Sequence, residues 1–289
     1  MEPRTLRWKD NGLEHHALEW RPDGAGGSGD ARATVVLVHG FQDAAATWDD
    51  VALGLAKAGL RVLAPDMRGF GDGARVPPGG YYYFPDYVLD VQGLLQTAAP
   101  AGPLFLIGHS MGATVVSYVA GALPERITKL ALVDGVGPPD NGFDSAPLRM
   151  RRWLETVREA RAERKPMTRD DALSRLIRFN PDIDVAILER RLRQLSREVE
   201  GGLAWKYDPL HVTTSPLPFY GEAYKAFVRR ITCPTLHVGG GEKGYNVPER
   251  DERLACFAHL EAIVIEGGHA LHWTRPAELT ASLLEFWRA

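Results

Sequence analysis

Cysteine is scarce: only Cys233 and Cys256 occur in 289 residues. Two thiols make neither a disulfide framework nor a structural zinc site, so both are expected as buried, reduced side chains with no metal role. Excess positive charge is missing too. Lys plus Arg number 34 against 37 Asp plus Glu, a formal net charge of -3, which leaves no basic footprint for nucleic acid and nothing to draw the chain to an anionic membrane. No apolar run reaches the roughly 18 residues that a membrane span requires. Met1-Glu2-Pro3-Arg4-Thr5-Leu6-Arg7 is charged where a secretion signal is apolar. What remains by elimination is a cytoplasmic protein whose partner is a small molecule or another protein rather than nucleic acid or a membrane; a small-molecule substrate, no cofactor and no metal are expected. The oligomeric state is left open.

The composition that is present, 45% apolar and 25% charged, belongs to a globular chain long enough for one large core or two small ones. From Ala33 onward, short β-branched runs alternate with helix-like stretches. Thr34-Val35-Val36-Leu37-Val38, Arg61-Val62-Leu63, Leu104-Phe105-Leu106-Ile107, Leu130-Ala131-Leu132-Val133, Thr235-Leu236-His237-Val238 and Ala262-Ile263-Val264-Ile265 read as strands. They are apolar throughout rather than alternating, as strands buried on both faces are. Helices are expected near 48–58, 86–97, 111–123, 249–258 and 277–287. Strand and helix taking turns predicts a doubly wound, mostly parallel α/β sheet. The first thirty residues predict an antiparallel strand pair, followed by a flexible turn from Gly24 to Gly29.

Residues 139–225 interrupt the alternation. They are rich in Arg and Glu and lack a buried strand, which predicts an inserted helical segment. Within it Thr168 is expected to cap a helix. Val185, Leu188, Leu192, Leu195 and Val199 recur at steps of three and four, predicting a second helix that Gly201-Gly202 stops. Its Arg-rich face, with Arg151, Arg152, Arg190 and Arg191, is expected to be solvated. Asp208 to Phe219 has the proline density of an ordered loop.

The sharpest motif is Gly108-His109-Ser110-Met111-Gly112, between a strand and a helix. A serine in so tight a turn projects its hydroxyl out of the sheet, and flanking glycines remove side chains that would collide there. The helix that follows points its N-terminal amides at the same spot. Ser110 is a poor nucleophile unless a base takes its proton, and imidazole is the side chain suited to that at neutral pH. His269, just past a strand and after Gly267-Gly268, is the candidate base; His272 is its competitor. His15, His16, His211, His237 and His259 are expected as surface or satisfied core residues, and Asp66 and Asp72 as turn or loop residues.

With Val36-Leu37-Val38-His39-Gly40-Phe41-Gln42, Pro65-Asp66-Met67-Arg68-Gly69-Phe70-Gly71 and Glu266-Gly267-Gly268-His269 in the same order, the chain resembles the α/β-hydrolase fold family over nearly its whole length. Gly80-Tyr81-Tyr82-Tyr83-Phe84-Pro85-Asp86-Tyr87-Val88 and Trp205-Lys206-Tyr207-Asp208-Pro209 resemble its serine-hydrolase-like subgroup. The resemblance implies a core of residues 1–138 and 226–289, with 139–225 as a helical cap. It implies an oxyanion hole from the backbone N–H groups of Phe41 and Met111. The family's usual acid position falls at Gly244 in Gly241-Glu242-Lys243-Gly244, where no carboxylate exists. Two candidates therefore stand for the acid: Asp134, in Leu132-Val133-Asp134-Gly135 at the family's alternative position, and Glu242, with its longer reach. The substrate pocket is expected to draw on His39, Gln42, Trp205, Tyr207, Phe219 and His272.

A serine nucleophile argues against epoxide and haloalkane hydrolysis, for which the family uses aspartate. It implies a carboxylesterase acting through an acyl-enzyme on Ser110. Trp153, Trp205, Tyr207, Phe219, Tyr220 and Tyr224 suggest a small apolar or aromatic ester as substrate. Thioester, lactone or carbon–carbon bond hydrolysis uses the same atoms; a lyase or cyclase, or a ligand-binding pseudoenzyme, uses the same scaffold.

Overall fold

A computed structural model describes residues 1–22, 33–161 and 164–288. The turn expected from Gly24 to Gly29 lies outside the described residues. In chain order the elements are β1 Arg4–Asp10, β2 Leu13–Trp20, β3 Thr34–Val38, α1 Asp49–Lys57, β4 Arg61–Asp66, α2 Phe84–Ala98, β5 Leu104–His109, α3 Met111–Ala122 and β6 Lys129–Val133. There follow α4 Ala146–Ala160, α5 Arg169–Phe179, α6 Val185–Leu195, β7 Ser196–Val199, β8 Gly202–Trp205 and α7 Gly221–Val228. The chain closes with β9 Thr235–Gly239, α8 Arg250–Leu254, β10 Leu260–Val264, α9 Leu271–Thr274 and α10 Pro276–Arg288.

Eight strands form one sheet in the order β1-β2-β4-β3-β5-β6-β9-β10. The β1–β2 and β2–β4 pairs are antiparallel and every other pair is parallel. Side chains of one strand alternate between faces, and here each face has its own core. Val36, Val38, Leu63, Leu106 and Leu132 enter one cluster. Val35, Leu37, Val62, Phe105, Ile107, Ala131 and Val133 enter the other. This two-sided burial is why the strands read as unbroken apolar runs.

Between β6 and β9 the chain builds α4 to α7 and a two-stranded hairpin, β7 with β8. Thr168 caps α5, its hydroxyl accepting the Asp171 N–H. The stripe from Val185 to Val199 is only partly helical. The α6 helix ends at Leu195, because Ser196 turns extended and its hydroxyl donates to the Leu192 carbonyl. Val199 is in the hairpin, and Gly201 and Gly202, at φ +83° and +146°, make its turn rather than a helix stop.

Arg151 and Arg152 are exposed and the Arg190 side chain is 43% exposed, but Arg191 is not part of a solvated face. Arg191 is 1% exposed and, with Arg190, reaches Asp49 and Asp50 at the start of α1. The helix expected over 249–258 shrinks to α8. Cys233 is buried but Cys256 is only half-buried; both are free thiols. Among the described residues no helix is long and apolar enough to cross a membrane.

Candidate active site

Ser110 sits between the last residue of β5 and the first of α3, at φ +53° and ψ -115°. A non-glycine residue holds such a conformation only where its surroundings enforce it. Here the enforcement is steric. A Cβ on Gly108 would stand 2.3 Å from the Gly112 carbonyl oxygen, and one on Gly112 would stand 2.2 Å from that of Val38. Both glycines are therefore required for the strand and helix to pack this closely, and the turn between them leaves the hydroxyl pointing out of the sheet.

His269 follows β10 on a loop fixed by the Gly268 N–H donating to the Gly240 carbonyl, 3.0 Å. Its Nδ1 lies 2.6 Å from Asp134 Oδ2 and its Nε2 lies 3.0 Å from Ser110 Oγ. A carboxylate only accepts, so Nδ1 carries the proton and Nε2 is free to accept from the serine hydroxyl. Asp134, one residue past β6, is buried at φ +46°. Its Oδ1 accepts the Gly240 N–H and its Oδ2 accepts the Tyr245 N–H, each at 2.7 Å. Glu242 is exposed, and among the described residues its carboxylate has no hydrogen-bond partner. The structure thus brings Ser110, His269 and Asp134 together and leaves Glu242 outside.

The glycine at 244 has a physical reason. A Cβ there would lie 2.7 Å from Asp134 Oδ1 and 2.9 Å from the Gly240 Cα. The space that a side chain at 244 needs is filled by the Asp134 carboxylate.

Met111 is the first residue of α3, so its N–H has no acceptor within the helix. Phe41 and Gln42 form the loop facing it, with Gln42 at φ +58°. Gln42, Trp205 and Tyr207 line a cavity of about 520 Å³ over Ser110 and His269. His39, Phe219 and His272 do not line this cavity. His39 is fully buried: Nδ1 donates to the Gly40 carbonyl at 2.7 Å, and Nε2 accepts the Met67 N–H at 3.0 Å. Both ring nitrogens are spent on holding the Phe41 loop. Phe219 packs on Tyr224 and beneath the Arg253 guanidinium. His272 is fully buried and donates from Nε2 to Asp43 Oδ2, 2.9 Å.

Asp43 and His109 escaped notice in the sequence. Burial opposes ionisation of Asp43, but the His272 hydrogen bond and the Thr47 hydroxyl outweigh it and hold the carboxyl well below its ordinary range. Burial in turn pushes the His272 and His109 imidazoles down. Both are therefore neutral at pH 7. His109 Nε2 donates to the His269 carbonyl at 2.7 Å, so the x residue of the Gly-x-Ser-x-Gly turn steadies the histidine loop. Asp43, His109 and His272 could offer a cation one atom each, all within 4.8 Å, although the Asp43 carboxylate is already engaged by His272 and Thr47. Nothing in the sequence around Asp43 marks it; the only signal for His109 is its place beside Ser110.

Other polar residues are structural ties. Asp66 is buried and accepts from His16, from the Ala45 N–H and from the Asp72 N–H, joining β2, β4 and the turn before α1. His211 stacks on Tyr82 and accepts from the Tyr87 hydroxyl at 2.8 Å.

Comparison with known proteins agrees with this architecture. A serine hydrolase-like protein of Dictyostelium discoideum is 26% identical over 294 residues, covering 95% of this chain and 79% of that protein. Epoxide hydrolase A of Mycobacterium tuberculosis is 26% identical over 304 residues, covering 87% of this chain and 89% of that protein. The crystal structure of a hypothetical protein from Pseudomonas aeruginosa PAO1 superposes with a TM-score of 0.85 at 30% identity, covering 100% of both chains. The family model described as alpha/beta hydrolase fold matches residues 33–276. That span holds all six strands from β3 to β10 in the main sheet, together with Ser110, Asp134 and His269, and this chain belongs to the α/β-hydrolase fold family.

Proposed function

We propose that this chain is a carboxylic ester hydrolase that works through an acyl-enzyme on Ser110. The observation that carries the reading is the unbroken relay from Asp134 Oδ2 to His269 Nδ1, 2.6 Å, and from His269 Nε2 to Ser110 Oγ, 3.0 Å. Ser110 Oγ attacks the ester carbonyl while His269 Nε2 takes its proton, and Asp134 holds the tautomer that leaves Nε2 unprotonated. The tetrahedral oxyanion is received by the Phe41 and Met111 N–H groups, each contributing about 3 kcal/mol to transition-state stabilisation. His269 returns its proton to the leaving alcohol. Water then attacks the acyl-serine by the same route and releases the acid.

Residues 139–225 act as a cap over this site, on a core of residues 1–138 and 226–289. They supply Leu176, Phe179, Leu195, Trp205 and Tyr207 to the cavity wall, an apolar surface suited to an acyl chain or aromatic ring.

The kinship to an epoxide hydrolase does not extend to that activity. Epoxide opening by an aspartate gives an ester, which water can cleave at its carbonyl. Opening by Ser110 would give an ether, and the site has no means of cleaving it. Fluorophosphonate labelling followed by peptide mapping tests the proposal. An adduct on Ser110 that disappears in Ser110→Ala is expected, and folded protein that takes up no label overturns the reading.

A further inference from the structure

The Ser110 cavity has a charge that plain ester hydrolysis does not use. Two arginines of α5, Arg175 and Arg178, line it. They are three residues apart, so they project from neighbouring positions on one helix face, where like charges repel. Among the described residues neither makes a salt bridge or a hydrogen bond. Arg151, Arg169 and Arg190 of the same segment pair with Glu155, Glu189 and Asp49. Arg152, Arg158 and Arg193 are unpaired among the described residues too, so what sets Arg175 and Arg178 apart is that they line the cavity that holds Ser110. Among the described residues the only carboxylate lining the cavity is Asp43, whose oxygens are turned to His272, Thr47 and the Ala44 N–H. The cavity wall therefore presents two guanidinium groups that, among the described residues, no carboxylate pairs with.

Arg175, Trp205 and Tyr207 also line a second cavity of about 810 Å³, so the two adjoin. The second adds Arg75, Arg164, Lys165 and Arg197. Of its acids, Asp171 is engaged by the Thr168 hydroxyl and Asp208 by the Tyr82 hydroxyl, while Glu200 stands exposed at the hairpin turn. Among the described residues the two cavities together carry six cationic side chains against four carboxylates, and guanidinium forks suit carboxylate and phosphate oxygens equally.

We propose that the substrate is an ester or thioester carrying an anionic group, carboxylate or phosphate, remote from its scissile carbonyl, and that Arg175 and Arg178 bind that group. This rests on the hydrolase reading above for the reacting end, while the anion subsite itself stands on the arginines. The test uses two matched pairs. Mono-p-nitrophenyl glutarate against p-nitrophenyl pentanoate places a carboxylate on the acyl side. Pentanoyl-coenzyme A against the pentanoyl thioester of N-acetylcysteamine places phosphates on the leaving side. In at least one pair the anionic member should have a kcat/KM about tenfold higher, shrinking as salt rises. In Arg175→Gln/Arg178→Gln the ratio should fall to about one, with part of it retained in the double Lys variant. The responsive pair identifies which anion the site takes.

Neutral members equal or preferred in both pairs, or a preference that survives the double Gln variant, overturns the proposal and leaves the hydrolase reading intact. Calorimetric titration of Ser110→Ala with monoethyl glutarate and with coenzyme A separates the two readings in the other direction. Arginine-dependent binding by a protein that takes no fluorophosphonate label would keep the anion subsite and overturn the hydrolase. Absence of arginine-dependent binding there would overturn the subsite as well.

Discussion

Asp134 and His269 stand 135 positions apart in the chain and 2.6 Å apart across the end of the sheet, with Asp134 Oδ2 facing His269 Nδ1. Asp134 leaves β6 with a positive φ, and two backbone N–H groups hold its carboxylate in place. The neutral amide of Asp134→Asn has one oxygen where the carboxylate has two, so it can accept from only one of those N–H groups, and its NH2 no longer enforces the tautomer that leaves His269 Nε2 free. We expect kcat on a short-chain ester to fall by about 10³ to 10⁴, while Glu242→Gln stays within about twofold. Steady-state kinetics on both variants checks this, and loss of activity in Glu242→Gln alone would reassign the acid.

Gly244 tests the same geometry from the other side. A carboxylate introduced by Gly244→Asp would stand where a Cβ already meets Asp134 Oδ1 at 2.7 Å. Two carboxylates forced together in a partly buried site repel, and one is protonated or displaced. The variant should lose at least about tenfold in kcat and be less stable than the parent, by about 1–3 kcal/mol for the overcrowding. Unchanged activity and melting temperature would show that the Gly244 turn has room to spare.

The main sheet was legible because burial on both faces writes itself into sequence as unbroken apolar runs. Ser110 was legible because Gly108 and Gly112 are demanded by contacts with backbone atoms. The inserted segment was less so. Periodicity carried the helix from Val185 through Leu195 onward to Val199, since one Ser196 hydroxyl bond that ends α6 leaves no mark on a hydrophobic pattern. Arg191 reads as a surface residue for the same reason: its partners Asp49 and Asp50 lie about 140 positions away. His39, Phe219 and His272 share motifs or neighbourhoods with cavity residues, but sequence proximity does not say which way a side chain points.

Acid should unfold this protein early. Burial holds His211 down to about 3 and His237 to about 4, and lowers His109 and His272 as well. Each of these imidazoles takes up a proton in the unfolded chain near pH 6.5 but resists it when folded. Their contribution is therefore complete above about pH 6.5 and is lost as pH falls toward the folded values. Each adds a slope of about 1.4 kcal/mol per pH unit within its window. Urea titrations at pH 7.5, 6, 5 and 4.5 should show stability declining throughout, and His211→Phe should remove about one proton from that slope. Stability that stays level from pH 7 to 4.5 would contradict the burial of these rings.

The contact between α6 and α1 should respond unequally to removal of its two partners. Asp49 Oδ1 lies 3.0 Å from Arg191 Nη1, and Asp49 Oδ2 lies 2.6 Å from Arg190 and 2.7 Å from Gln194 Nε2. Arg191 is 1% exposed, whereas the Asp49 side chain is 26% exposed. Asp49→Ala strands a buried guanidinium with Gln194 and, at 3.6 Å, Asp50, and should cost about 2–3 kcal/mol, below the range for a fully buried pair because Asp49 sees solvent. Arg191→Met removes the buried charge itself and leaves Asp49 with Arg190 and water, so its cost should be under about 1.5 kcal/mol. Because Leu195 of α6 lines the Ser110 cavity, loosening α6 should also raise KM more than it lowers kcat in Asp49→Ala. Equilibrium denaturation with steady-state kinetics on the two variants decides it. Equal destabilisation would mean that Arg191 contributes by packing rather than by its charge.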